Sequence, residues 1–311
     1  MIIIQRFFAV AGLLALLVLP GHGSVILPVP EGIPALRTAK GVDAVIAALL
    51  NVPYRDDGTI DEKGRFTLFA DQEKIFSSPG LNCSGLVLEV SRFIFRRNVT
   101  VPEAVRDRLG DSGPGAALGE DWDFGWDLVL NLSEGLARSM LLPGGASVDP
   151  GTLDGLAAQG FDLHAESTWE ELSGRIQPDC LYLVSFNTES HRKGYKRQHY
   201  HVALLHLAAD GSLRITQATS QSRKVYQRNL STKDGLALFL HSFANTGSIR
   251  KKIAVVEVRI DGEEVSVAGT CGHYASYVYY IIAVRRGTTI REKCHKRGKP
   301  ENLYALYGCG E

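Results

Sequence analysis

The chain has 311 residues, 45% hydrophobic and 22% charged, with 34 basic and 34 acidic side chains and a formal net charge of zero. That length and apolar share suffice for one large domain or two small ones, with a core that needs no metal or disulfide staples. The balanced charge removes any global electrostatic case for nucleic acid or an anionic membrane; the basic clusters at residues 191–197 and 250–252 are local and read as solvated loop faces.

The chain begins "MIIIQRFFAVAGLLALLVLPGHGS", with Arg6 before an uncharged run at residues 7–19, a breaker at Pro20, and small residues at Gly21, Gly23 and Ser24. This is a signal-peptide layout, predicting removal of residues 1–23 and a periplasmic or secreted protein with no stable membrane anchor after cleavage. A retained anchor is the rival reading, but the run is shorter than the roughly 20 apolar residues of a full span. No later stretch is long and apolar enough to cross a bilayer.

After a proline-rich lead-in, "VILPVPEGIP", residues 38–51 carry apolar side chains at helical spacing. Residues 52–64 read as a loop. A second helix is expected from about Cys83 toward Arg97, with Leu86, Val90, Ile94 and Phe95 as its buried stripe. Residues from about 100 to 162 read as an insertion of helices and loops, with a helix over 131–141 and an aromatic-acidic patch, "EDWDFGWD". Buried tryptophans are the plainer account of that patch than a sugar platform. Asp121, Asp123 and Asp127 lack the glycine and terminal glutamate of an EF-hand loop. Ser167 and Glu170 have the spacing of a capping box.

Strand signals then dominate, in "CLYLVSF", "HYHVALLHL", "SLRITQA", "IAVVEVRI" and "EVSVAG", with Asp210-Gly211 as a hairpin turn. Helices first and an antiparallel sheet afterwards predict an α+β fold. Residues 271–311 form a basic, cysteine-containing C-terminal extension.

Five cysteines are present, at 83, 180, 271, 294 and 309. In an oxidising compartment an odd count leaves at least one thiol free, and the other four allow two bridges. Cys294 to Cys309, closing a short loop, is the expected bridge. The plain alternative is five reduced, buried thiols. With no CxxC pair, zinc is a poor reading, and no metal or cofactor is called for.

Cys83 lies between the turn-like "PGLN" and an apolar helical stretch. A helix N-terminus favours a thiolate, and its free N–H groups can serve an oxyanion. Small Ser84 and Gly85 would keep the approach to the sulfur open. The imidazole partner is sought on a rigid strand. His201 opens "HVALLHL", His199 would share its face two residues earlier, and His206 would point the other way. Across the hairpin, Gln217 can orient the ring. The pattern alone leaves two readings of Cys83 open, nucleophile and packed core thiol.

"NCSGLVLEV" resembles the "DCSGLV" nucleophile motif of the NlpC-type cell-wall cysteine peptidases of the papain-like superfamily. "HVALLHL" resembles that family's "HVGIY" histidine strand, "ITQA" its following "IHA" strand, and "LLNVPYRDDG" its "GxPYxxGG" segment. The resemblance spans roughly residues 41–218 with insertions, and it implies a catalytic domain over residues 24–270. Its core would be papain-like, a nucleophile helix packed on an antiparallel sheet. It further implies Cys83 as nucleophile, His201 as base, Gln217 as orienter, and Tyr54 and Ser84 at the substrate. The implied substrate is peptidoglycan or a muropeptide, cut between γ-linked D-glutamate and a diamino acid. Asn82 replaces the family's aspartate and Gln217 its commoner histidine, and only one glycine follows Tyr54. The alternatives are an amidase or acyltransferase of the same superfamily, or a non-catalytic wall-binding domain.

Overall fold

A computed structural model describes residues 38–116, 119–189, 197–244 and 249–260, together with the backbone of two strands at 266–271 and 280–284. The export segment, Cys294 and Cys309 lie outside the described residues.

Thr38 opens α1 (Ala39–Leu49) by accepting the Gly41 N–H at 3.2 Å. The stretch expected as loop folds into a short hairpin, β1 (Gly58–Ile60) with β2 (Phe66–Leu68), whose turn is held by Asp61 accepting the Lys63 and Arg65 N–H groups. Next comes α2 (Cys83–Phe95), which stops at Arg96 in the left-handed region, φ 52°. A capping box between Thr100 and Glu103 opens α3 (Val101–Ala104).

The helix expected at 131–141 is displaced. It is α4 (Phe124–Ser133), and Arg138–Leu141 is instead strand β3. Gly135, at φ 72°, turns the chain, while Arg138 donates to Leu130 O and Ser133 Oγ and closes the helix end. Two further short strands, β4 (Ser147–Val148) and β5 (Phe161–Asp162), follow. So the segment read as helices and loops also feeds the sheet. The expected capping box at Ser167 is absent. Helix α5 (Glu166–Arg175) starts two residues earlier than that cap would give and without a side-chain cap, and tertiary bonds from Thr168 Oγ1 to Asp162 O and Trp169 Nε1 to Leu163 O fix its start.

Long strands then alternate with turns: β6 (Cys180–Thr188), β7 (Gln198–Leu207), β8 (Leu213–Thr219) and β9 (Lys224–Asn229). Helix α6 (Lys233–Ser242) and strand β10 (Lys251–Arg259) follow. Strands β11 (Ser266–Cys271) and β12 (Tyr280–Val284) pair with each other. The main sheet runs β4-β3-β10-β6-β7-β8-β9, with β5 also on β10, and every pairing is antiparallel. The class is α+β, as the element order predicts.

Strand alternation sorts two cores. Leu181, Leu183, Val202, Leu204, Ala254 and Val256 face α1, α2 and α4; Tyr182, Val184, Ala203, Leu205, Ile253 and Val255 face α5 and α6. On α2, Leu86, Val87, Leu88, Val90 and Ile94 are fully buried, each stabilising the fold by about 1.5–3 kcal/mol. Buried Arg92 fastens the helix to its neighbours by donating to Ile60 O and Val99 O. These bonds anchor the last turn of α2 to β1 and to the chain that follows the helix.

Candidate active site

Cys83 is the first residue of α2. Asn82 caps it, accepting the Gly85 N–H at 2.8 Å and donating its own N–H to Gly58 O at 2.9 Å. The N–H groups of Cys83 and Ser84 fall in the first turn, before the helical ladder begins. An amide cap adds no negative charge beside a sulfur that is to ionise. Gly85 has a different task from the one the sequence suggested: a Cβ there would stand 2.2 Å from Gly58 O, so the glycine lets α2 press onto β1. Ser84 is only 4% exposed, and its hydroxyl faces the sulfur at 3.8 Å rather than an open cleft.

His201 and His199 part company at a β-bulge. Phe186 pairs with His201 and Asn187 with His199, so β7 carries one extra residue, Tyr200. The expectation that both imidazoles share a face therefore fails. His199 turns toward α4, with Nδ1 2.8 Å from Ser185 Oγ, Nε2 2.8 Å from Gly155 O and its ring 5.8 Å from Trp126. Burial pushes its pKa down to about 4, with Arg197 adding to the effect, and the ring is neutral. His206, on the α1 side, bonds Asp43 at 2.9 Å.

The His201 ring lies 5.2 Å from Phe186 and 5.6 Å from Phe243. Its Nε2 is 2.7 Å from Gln217 Oε1. With a carbonyl oxygen as partner, Nε2 carries the proton and Nδ1 is left for the sulfur. Gln217 is completely buried, and its Nε2 donates to the Tyr226 hydroxyl at 2.6 Å. The β7–β8 ladder ends at Leu204 and Thr216. Past that point the Val202 N–H is directed to Cys83 Sγ.

Burial opposes ionisation of Cys83, but the His201 charge, hydrogen bonds from His201 and the Val202 N–H, and Ser84 outweigh it, bringing the thiol from 9.0 to about 7. Burial likewise opposes protonation of His201, and the Cys83 charge and the bonds to Cys83 and Gln217 overcome it, raising its pKa. The two shifts have opposite sign, as a thiolate–imidazolium pair requires. Tyr54 bridges to Leu81 beside the nucleophile turn and donates to Asp56 at 3.4 Å. Burial first, then the charges of Asp56 and Cys83, push its phenol up to about 12, so it stays protonated.

Cys180 is a second free thiol, buried on β6, and burial pushes it up to about 12. A free Cys180 overturns the two-bridge arrangement, because three cysteines then remain for pairing. The aspartates of the insertion are engaged within the protein, Asp123 by Ser112 Oγ at 3.1 Å and Asp127 by the Arg108 N–H at 2.8 Å. Among the described residues no cluster of acidic, histidine or cysteine side chains has the arrangement of a metal site, and no helix is long and apolar enough to cross a membrane.

The structure thus brings Cys83, His201, Gln217, Tyr54 and Ser84 together. The sequence reading missed the Val202 N–H and Tyr226. Tyr226 lies in "KVYQRN", a short alternating run after the turn "SQSR", which is a strand signal in its own right. No protein-family model, curated protein or solved structure matches the chain.

Proposed function

We propose that the protein is a cysteine hydrolase with an NlpC-type, papain-like core, exported through residues 1–23 and acting on amide bonds of peptidoglycan stem peptides. One observation carries the chemistry: Cys83 at the first position of α2 is coupled to His201, whose far nitrogen is bound to Gln217. The motif resemblance, the order Cys, His, polar residue, and the placement of Tyr54 beside the nucleophile support the substrate class.

In this reading the Cys83 thiolate attacks the amide carbonyl carbon, and the C=O electron pair moves onto oxygen. The Cys83 N–H at the helix start donates to that oxyanion. Collapse expels the amine, which takes its proton from His201 and leaves a thioester on Cys83. His201, now neutral, removes a proton from water as it attacks the thioester. The acid leaves, and thiolate and imidazolium are restored. Gln217 keeps the ring facing the sulfur throughout. The bond cut is the γ-D-glutamyl link to the diamino acid.

The test is mass spectrometry of defined muropeptides incubated with the purified mature protein. The wild type should release the fragments of that cleavage, and Cys83→Ser should release none above background. Release of intact stem peptides from glycan would move the assignment to an amidase. No product with any acyl substrate, from a protein whose Cys83 reacts slowly with iodoacetamide, would leave a wall-binding domain. Amino-terminal sequencing of exported material should begin near Ser24; a start at Met1 contradicts export by cleavage.

A further inference from the structure

We propose that Tyr226 is a positioning residue of the thiolate site: its hydroxyl accepts the Gln217 N–H while Gln217 Oε1 faces His201, and so supports the imidazole tautomer on which Cys83 depends. This deepens the Cys–His reading and rests on it.

The geometry is a chain across three neighbouring strands. His201 on β7 meets Gln217 Oε1 on β8 at 2.7 Å, and Gln217 Nε2 meets Tyr226 Oη on β9 at 2.6 Å. Gln217 and Tyr226 are direct cross-strand partners, so the last bond is set by register. The amide is completely buried, so a lost bond there is costly. Arg228 lies 5.6 Å from the Tyr226 ring centroid, and burial keeps the phenol protonated against the effects of Arg228, Thr219 and Gln217.

An amide has two unlike ends of nearly equal size. With Oε1 toward the ring, His201 must donate from Nε2, and Nδ1 is free to hold the proton taken from the thiol. With the amide reversed, its N–H would donate to Nε2 and the proton would sit on Nδ1. That tautomer cannot accept from Cys83. The imidazolium donates from both nitrogens, so the thiolate state tolerates only the first arrangement. In that arrangement the Gln217 N–H groups need an acceptor, and Tyr226 Oη supplies it. Remove the hydroxyl, and the productive arrangement leaves a buried N–H unpaired, whereas the reversed one leaves only a carbonyl. Buried orphan N–H groups are the rarer and costlier of the two. The amide should then reverse, and the thiolate should lose its partner.

The experiment needs no substrate. The rate of Cys83 carboxymethylation by iodoacetamide is followed from pH 5 to 10 in wild type, in Tyr226→Phe, and in Tyr226→Phe combined with Gln217→Glu. Tyr226→Phe keeps the ring and its packing. Its ionisation midpoint should move up by about one pH unit or more, the size expected for losing one charge-assisted hydrogen bond. A carboxylate has no N–H to orphan and cannot reverse, so the double variant should restore a low midpoint. An unchanged midpoint in Tyr226→Phe overturns the inference. A raised midpoint that Gln217→Glu does not bring back also overturns it, because the hydroxyl would then act through packing alone. Ring nitrogen shifts of wild-type His201 above its pKa give a check that needs no variant: protonation at Nδ1 in place of Nε2 contradicts the proposal even where Tyr226→Phe fails to fold. A wild-type midpoint in the ordinary thiol range would instead sink the Cys–His reading beneath it.

Discussion

An aspartate or a histidine beside His201 would bring charge or basicity to the base. The Gln217 amide does neither, so the ion pair must be held by geometry: Oε1 on the ring at 2.7 Å and the ring packed against the stacked pair Phe186 and Phe243. Gln217→Ala should therefore leave the protein folded and Cys83 in place while turnover falls about 100-fold, a typical share for one acid–base element. Unaltered single-turnover rates would remove Gln217 from the site. His199 gives the contrasting residue. It is neutral, buried and bonded to Ser185 and Gly155, so His199→Ala should cost about 2–3 kcal/mol of stability and leave the activity per folded molecule near wild type. A denaturant melt and an active-site titration separate the two effects. A rate loss as large as that of His201→Ala would contradict the division of labour.

Among the elements, α2 and its cap were legible because local chemistry dictates them: Asn82 before Cys83, then apolar residues on one stripe. Strands β6, β7, β8 and β10 announced themselves by β-branched, apolar runs. The bulge at Tyr200 did not, because an extra residue on one strand is decided by pairing with β6, and it reverses the face of everything before it. Strand β3 was hidden for a related reason. Its residues have no strong preference, and pairing with β10 chooses the conformation. Cys83, His201 and Gln217 were candidates from the element order and the motif resemblance together, whereas Tyr226 and the Val202 N–H depend on register and on where the β7–β8 ladder ends. The α2–β1 contact makes a sharp prediction at this scale. Gly85→Ala sets a methyl against backbone, with a Cβ 2.2 Å from Gly58 O, so helix and hairpin must separate. The expected loss is about 2–3 kcal/mol with impaired Cys83 reactivity, read by thermal melts and alkylation. A variant as stable as wild type would mean that α2 is not pressed onto β1.

For the molecule as a whole, the pH response is set in part far from the sulfur. Asp123 is 1% exposed, and burial, followed by the charges of Asp127 and Asp111, pushes its carboxyl up to about 8; Asp121 and Asp127 are pushed up to about 6, chiefly by burial. A carboxyl raised above its unfolded value of 3.8 favours the fold in its protonated form. That contribution is fully present below about pH 4 and is lost progressively as pH rises through the folded pKa near 8. Asp123→Asn keeps an acceptor for Ser112 and removes the ionisation. It should raise the melting temperature at pH 8, by an amount corresponding to roughly 2 kcal/mol, and change little at pH 4. Equal effects at both pH values would contradict the linkage. The protein should then be most robust in mildly acid solution, while the sulfur becomes reactive as pH approaches 7, so stability and activity pull in opposite directions across that range.

The central claim is that Cys83 is a thiolate made by its helix start and by His201, and the rate of Cys83 alkylation against pH in wild type and His201→Ala tests it most directly. The wild type should titrate near 7, and the variant should return to the unperturbed thiol range at about 8.5 or above, because burial remains while the opposing charge is gone. Superimposable curves in which both proteins react only above about pH 8.5 would contradict the claim and leave Cys83 as a packed thiol at the start of a core helix.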